Sequence, residues 1–69
     1  MTLNAPALRT LLDAVDHHPD HFFEYLVSHG YSRNKTGMAM VNARRQGLVN
    51  QHADTLTEEG KQRLAELAP

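Results

Sequence analysis

A chain of 69 residues with a net charge of −1, 41% hydrophobic and 22% charged residues reads as one small globular domain, 1–69, and not as a disordered segment. Such a chain buries only about 60% of its unfolded surface, which argues against a deep enclosed active site; without cysteine, disulfide staples and thiolate metal sites are excluded. No apolar run approaches the ~20 residues of a membrane span, and the opening MTLNAPALRT lacks the charged start and apolar core of a signal peptide, so the expected location is cytoplasmic.

The charge is unevenly spread. Residues 1–24 sum to −3 and residues 54–69 to −2, whereas residues 25–53 carry Arg33, Lys35, Arg44 and Arg45, no acid, and a net charge of +4. A basic middle between acidic flanks says more about a partner than the total does.

In chain order, the first helix is expected from Ala5 or Pro6 to about Asp16. Asn4 serves as N-cap and Pro6 sits in the first turn. Leu8, Leu11, Leu12 and Val15 then fall at i, i+3, i+4 and i+7. Pro19 cannot continue that helix but opens the next one well, so a second helix is expected over 19–28. Asp20 and Glu24 lie near its start, and Phe22, Phe23, Leu26 and Val27 form its core face. Gly30 ends it as a left-handed cap. Ser32 caps a third helix over 33–46, stopped by Gly47. Its core positions are Thr36, Ala39, Met40 and Ala43. Gly37 lies mid-helix at a cost of about 1 kcal/mol against Ala, which asks for a packing or functional reason. Two short apolar runs, 47–49 and 55–57, flank the polar loop 50–54 and predict a small hairpin. Thr57 caps a last helix with Glu58 and Glu59 in its first turn, Leu64 and Leu67 on its apolar face, and Pro69 at the end of the chain.

The fold class expected is therefore mainly α with a small β-hairpin: a helix-turn-helix with a wing. The stretch G-Y-S-R-N-K-T-G-M-A-M-V-N-A-R-R-Q-G-L-V (30–49) and the Leu56-Thr57-Glu58-Glu59-Gly60 that follows it are similar to the turn, recognition helix, wing strand and L-T-x-x-G of bacterial winged helix-turn-helix regulators, with the MarR-like and PadR-like groups nearest in character. The resemblance spans about residues 5–67. It departs from the pattern in Thr36, Met40 and Ala43, where larger aliphatic residues are usual, and in a wing without Arg or Lys that ends in Asp54. It implies a small bacterial or phage transcriptional regulator that places its third helix in the major groove of double-stranded DNA.

On that geometry the helix start reaches base edges. Arg33 and Asn34 are suited to guanine and adenine respectively, and Lys35, Arg44 and Arg45 to phosphates. Gly37 allows close approach, and Ser32 with the free N–H groups of the helix start can hold a phosphate. Met38 and Asn42 lie further along the exposed side, and Gln51 and His52 in the wing. Four phosphate contacts per monomer imply a salt slope of about −4, and a dimer about −7. Weak binding by one copy favours a homodimer, built on the first or last helix, or a partner protein. An exposed Met38/Val41 pair also fits a second reading, a winged-helix protein-interaction module such as a phage-encoded modulator of a host regulator or polymerase. The cluster HHPDH (17–21) contains metal-ligand types, but Pro19 breaks helical pairing of His17 with His21, and no metal, cofactor or small-molecule ligand is expected. No nucleophile elbow or phosphate loop is present, so no enzyme is expected.

Overall fold

The computed structural model describes residues 5–67, in which the chain forms α1 (Ala5–His17), α2 (Phe22–Ser28), α3 (Arg33–Arg45) and α4 (Glu58–Leu67). The apolar stripe of α1 is the centre of the core. Leu11, Leu12, Ala14 and Val15 are all at most 1% exposed, and α1 packs against each of the other three helices. The Asn4 cap and the closing Pro69 lie outside the described residues. Among the described residues no helix is long and apolar enough to cross a membrane.

The second helix begins at Phe22, later than the expected start at Pro19. The residues between form a turn in which the His21 N–H donates to the His18 carbonyl (3.1 Å). His21 has a non-helical backbone and offers no side-chain cap to α2. Its core face also differs from the expectation. Leu26 is buried with Phe22 and Tyr25 packed beside it, the i, i+3, i+4 set of one helical face. Phe23 and Val27 stay half-buried outside that cluster. Tyr25 shares that inner face, and His18 stacks on its ring, with centroids 4.4 Å apart.

Both ends of the connected pair α2–α3 close in the same way. After α2, Gly30 (φ +94°) lets its N–H reach the Val27 carbonyl while the Tyr31 N–H reaches that of Leu26, each at 3.1 Å. After α3, Gly47 (φ +76°) does likewise, with Gly47 N–H to Arg44 (3.1 Å) and Leu48 N–H to Ala43 (2.9 Å). Each is a Schellman closure, which needs a left-handed residue that only Gly adopts without cost. The expected cap of α3 is present, as Ser32 Oγ accepts from the Lys35 N–H at 3.1 Å. Thr36, Ala39, Met40 and Ala43 are the buried residues of α3. The Thr36 hydroxyl is satisfied by donating to the Ser32 carbonyl (2.8 Å).

The expected hairpin is reduced to one antiparallel bridge, Val49 with Leu56, and no strand forms among the described residues. Two backbone hydrogen bonds flank it, Asn50 N–H to Thr55 and Thr57 N–H to Leu48. Runs this short cannot sustain a ladder alone, and side chains hold the segment together instead. Asn50 Nδ2 donates to the Thr55 hydroxyl at 2.7 Å. Leu48, Val49 and Leu56 are buried, so the segment is anchored by its apolar residues and not by sheet pairing.

Helix α4 is capped as expected, with Gly60 N–H donating to Thr57 Oγ1 (3.0 Å). The Thr57 hydroxyl in turn donates to the Gly47 carbonyl. Gly60 is buried against the 47–49 segment. A Cβ there would lie 2.0 Å from the Leu48 carbonyl oxygen and 2.9 Å from its carbonyl carbon. That contact is with backbone and cannot be relieved by a rotamer change. The expected dimer face of α4 is used internally, because Leu64 and Leu67 pack on the core. The two helical glycines should therefore respond oppositely. In urea unfolding, Gly60→Ala should cost at least about 2 kcal/mol through overpacking. Gly37→Ala, with nothing within 4 Å of the added carbon, should gain about 0.5–1 kcal/mol from helix propensity and a stiffer unfolded chain.

Candidate nucleic-acid interface

The core-facing residues of α3 leave its opposite side to solvent. At about 100° per residue, Asn34, Met38, Val41 and Arg45 share one outward stripe, with Lys35 on one flank and Arg33 on the other. Met38 and Val41 are 47% and 49% exposed, the two large hydrophobic side chains most open to solvent among the described residues. Arg33, Asn34, Lys35 and Arg45 are exposed. No ion pair with another described residue engages Arg33, Lys35 or Arg45. Arg33 does have an aromatic neighbour, its guanidinium lying 5.9 Å from the centroid of the Phe23 ring, within cation–π range. Phe23, expected in the core, is half-buried beside Arg33.

Arg44 behaves differently from the other bases. Its guanidinium donates to the carbonyls of Asn50 and Ala53 and to Asp54 Oδ1, the last at 2.6 Å. A planar fork with several donors can tie a loop in this way. The side chain is 25% exposed and its donors are directed into the loop. Arg44 thus clamps the loop, and the donors expected to meet a phosphate are engaged within the chain. Gln51 is drawn into the same knot, its Nε2 donating to the Arg44 carbonyl (2.9 Å), so this expected DNA contact is also spent within the chain. The Ser32 hydroxyl is occupied by the helix cap. Asn42 is half-buried and engaged within the chain. His52 is exposed at the loop tip, and Gly37 borders open space. The free set on α3 is therefore Arg33, Asn34, Lys35, Met38, Val41 and Arg45.

Sequence reading missed the clamp because Arg44 resembles its neighbour Arg45 in everything but direction. One signal was available: Asp54, the acid that ends an otherwise acid-free stretch, is the clamp's partner. Asn50, another loop former, staples the loop's far side through Thr55.

The histidines of HHPDH do not converge. His17 turns back on Asp13, with Nδ1 2.9 Å from Oδ1 and Nε2 3.8 Å from Asp16 Oδ2. His18 stacks on Tyr25, whose ring also lies 4.2 Å from that of His29. Among the described residues no group of three His, Cys, Asp or Glu side chains could hold a metal ion. The hydrogen bond of His17 to the Asp13 backbone carbonyl, then the charges of Asp13 and Asp16, raise its pKa above 6.5. The last turn of α1 adds a favourable site for positive charge.

Comparisons with family models, with curated proteins and with solved structures each returned no match for this chain.

The clamp and the histidine each yield a test. Arg44→Ala should lower stability by about 1 kcal/mol and speed amide exchange across 50–55, whereas Arg45→Ala should leave both nearly unchanged. In an NMR titration, His17 should titrate above 6.5, and Asp13→Asn should lower its midpoint. Because the folded value is raised, the stabilisation is complete below pH 6.5 and is lost as pH rises through the folded midpoint.

Proposed function

We propose that this protein is a small winged-helix-type DNA-binding regulator that lays the outward stripe of α3 in the major groove of double-stranded DNA. The observation that carries the reading is the exposed face of α3, where Arg33, Lys35 and Arg45 make no ion pair with another described residue and the helix holds no acid. The helix is held on the opposite side by Thr36, Ala39, Met40 and Ala43, so its outward residues sit on a rigid support. The α2–Gly30–α3 pair has the order and the tight left-handed turn of a helix-turn-helix. In this reading the 47–57 segment is a minimal wing, tied down by Arg44, and the protein meets DNA in the cytoplasm.

Removing Arg44 from the contact set lowers the charge available to phosphates. Three cations per copy imply a salt slope of about −3, and a homodimer on a two-fold site about −5. One copy binds weakly at physiological salt, so the regulator acts as a dimer or beside a partner protein. Since Leu64 and Leu67 pack on the core, a dimer must use other surfaces.

A second reading, a protein-interaction module without DNA affinity, draws on the exposure of Met38 and Val41. The two readings separate in one experiment. Fluorescence anisotropy with a random duplex across a salt series should show binding with a negative slope of about 3 per copy. Lys35→Ala and Arg45→Ala should each flatten it by about 1, and Arg44→Ala much less. Absence of binding at low salt would defeat the DNA reading in favour of the protein module.

A further inference from the structure

The outward stripe of α3 contains an apolar pair that phosphate binding does not use. Met38 and Val41 are 47% and 49% exposed, adjacent in the stripe one turn apart, and they lie between Asn34 toward the helix start and Arg45 toward its end. Exposing two large apolar groups on the face opposite the core serves no folding purpose, since α3 already buries Thr36, Ala39, Met40 and Ala43. Nor can they contribute to a charge-driven contact. Their surroundings narrow the choice of occupant. The flanking ionisable residues of the helix, Arg33, Lys35 and Arg45, are all cationic, and α3 has no acid, so the occupant must present negative charge around an apolar contact. In the major groove one base-edge group is apolar, the C5 methyl of thymine, and it is framed by phosphates on both strands.

Resting on the DNA reading above, we infer that the Met38/Val41 pair is a thymine-methyl reader, so that the protein selects duplex sites carrying thymine at the position facing the middle of α3. Asn34 sits at the helix start, where a bidentate contact with adenine is available, and Arg45 at the far end is placed for guanine or phosphate. The preferred half-site is then A/T-bearing at its centre. Loss of one methyl from an apolar contact should weaken binding by about fourfold, the equivalent of one buried carbon.

The test uses the full chain and a duplex enriched from a randomised pool at low salt. Each thymine of that duplex is replaced in turn by deoxyuridine, which keeps the base pair and removes only the methyl. Anisotropy should show one or two positions at which the replacement weakens binding by about fourfold each, and replacements elsewhere should be silent. In the Met38→Ala/Val41→Ala variant the same positions should become silent, with affinity for the thymine duplex lowered to that for its deoxyuridine counterpart. Uniform affinity for thymine and deoxyuridine duplexes overturns the inference and leaves DNA binding standing. So does an enriched site without thymine, or a methyl preference that survives in the double variant. Failure of any duplex to bind overturns the DNA reading and the inference with it, and assigns the apolar pair to a protein surface.

Discussion

The position of α4 depends on one steric constraint, the seating of Gly60 on the backbone of Leu48. With a would-be Cβ only 2.0 Å from the Leu48 carbonyl oxygen, no other residue permits α4 to approach so closely. The approach lets Thr57 act twice, capping α4 through the Gly60 N–H and donating to the Gly47 carbonyl. It also brings Leu64 and Leu67 onto the core beside α1. The core of such a small chain is thin, and moving α4 outward by the width of a methyl group would open it along its length. The segment between α3 and α4 could not compensate, since one bridge is all the sheet pairing it has.

A second constraint governs the surface. The two adjacent arginines of α3 are divided between structure and solvent by their direction on the helix. Arg44 reaches into the 50–54 loop and is neutralised by Asp54, while Arg45 points away. Tying the loop to the end of α3 replaces the missing strand ladder with charge-assisted hydrogen bonds, which are stronger than neutral ones. It also reduces the positive charge that α3 can offer to a partner. The resulting face is modest in charge but contains exposed apolar surface, a combination that suits selective contact better than long-range attraction.

Much of this was legible from residues alone. The four helices, the Ser32 and Thr57 caps, the left-handed Gly30, the stop at Gly47 and the buried set Thr36, Ala39, Met40 and Ala43 all follow from local rules: period, capping chemistry and glycine's freedom at positive φ. The exposure of Met38 and Val41 followed from the same period. The first turn of α2 was misplaced because Pro19 fits both a helix start and a plain turn, and the His21 N–H to His18 carbonyl bond decided for the turn. Tyr25, not Phe23, packs on the core: hydrophobicity ranks Phe first, but the helical face that carries Phe22 and Leu26 carries Tyr25.

Sequence thus determined the elements and the inward and outward faces of α3, because helix period and caps act over a few residues. Only tertiary structure decided which of the outward groups are free. Arg44 and Gln51 have the right chemistry for nucleic acid, yet both are already bonded within the chain. Tertiary structure also decided that the 47–57 segment is a clamped loop with one bridge, and that Gly60 is indispensable where Gly37 is not. These outcomes rest on contacts between residues six to twelve apart in sequence, beyond the reach of helix period and capping rules, and side-chain direction across such a gap is set by packing, which no local pattern encodes.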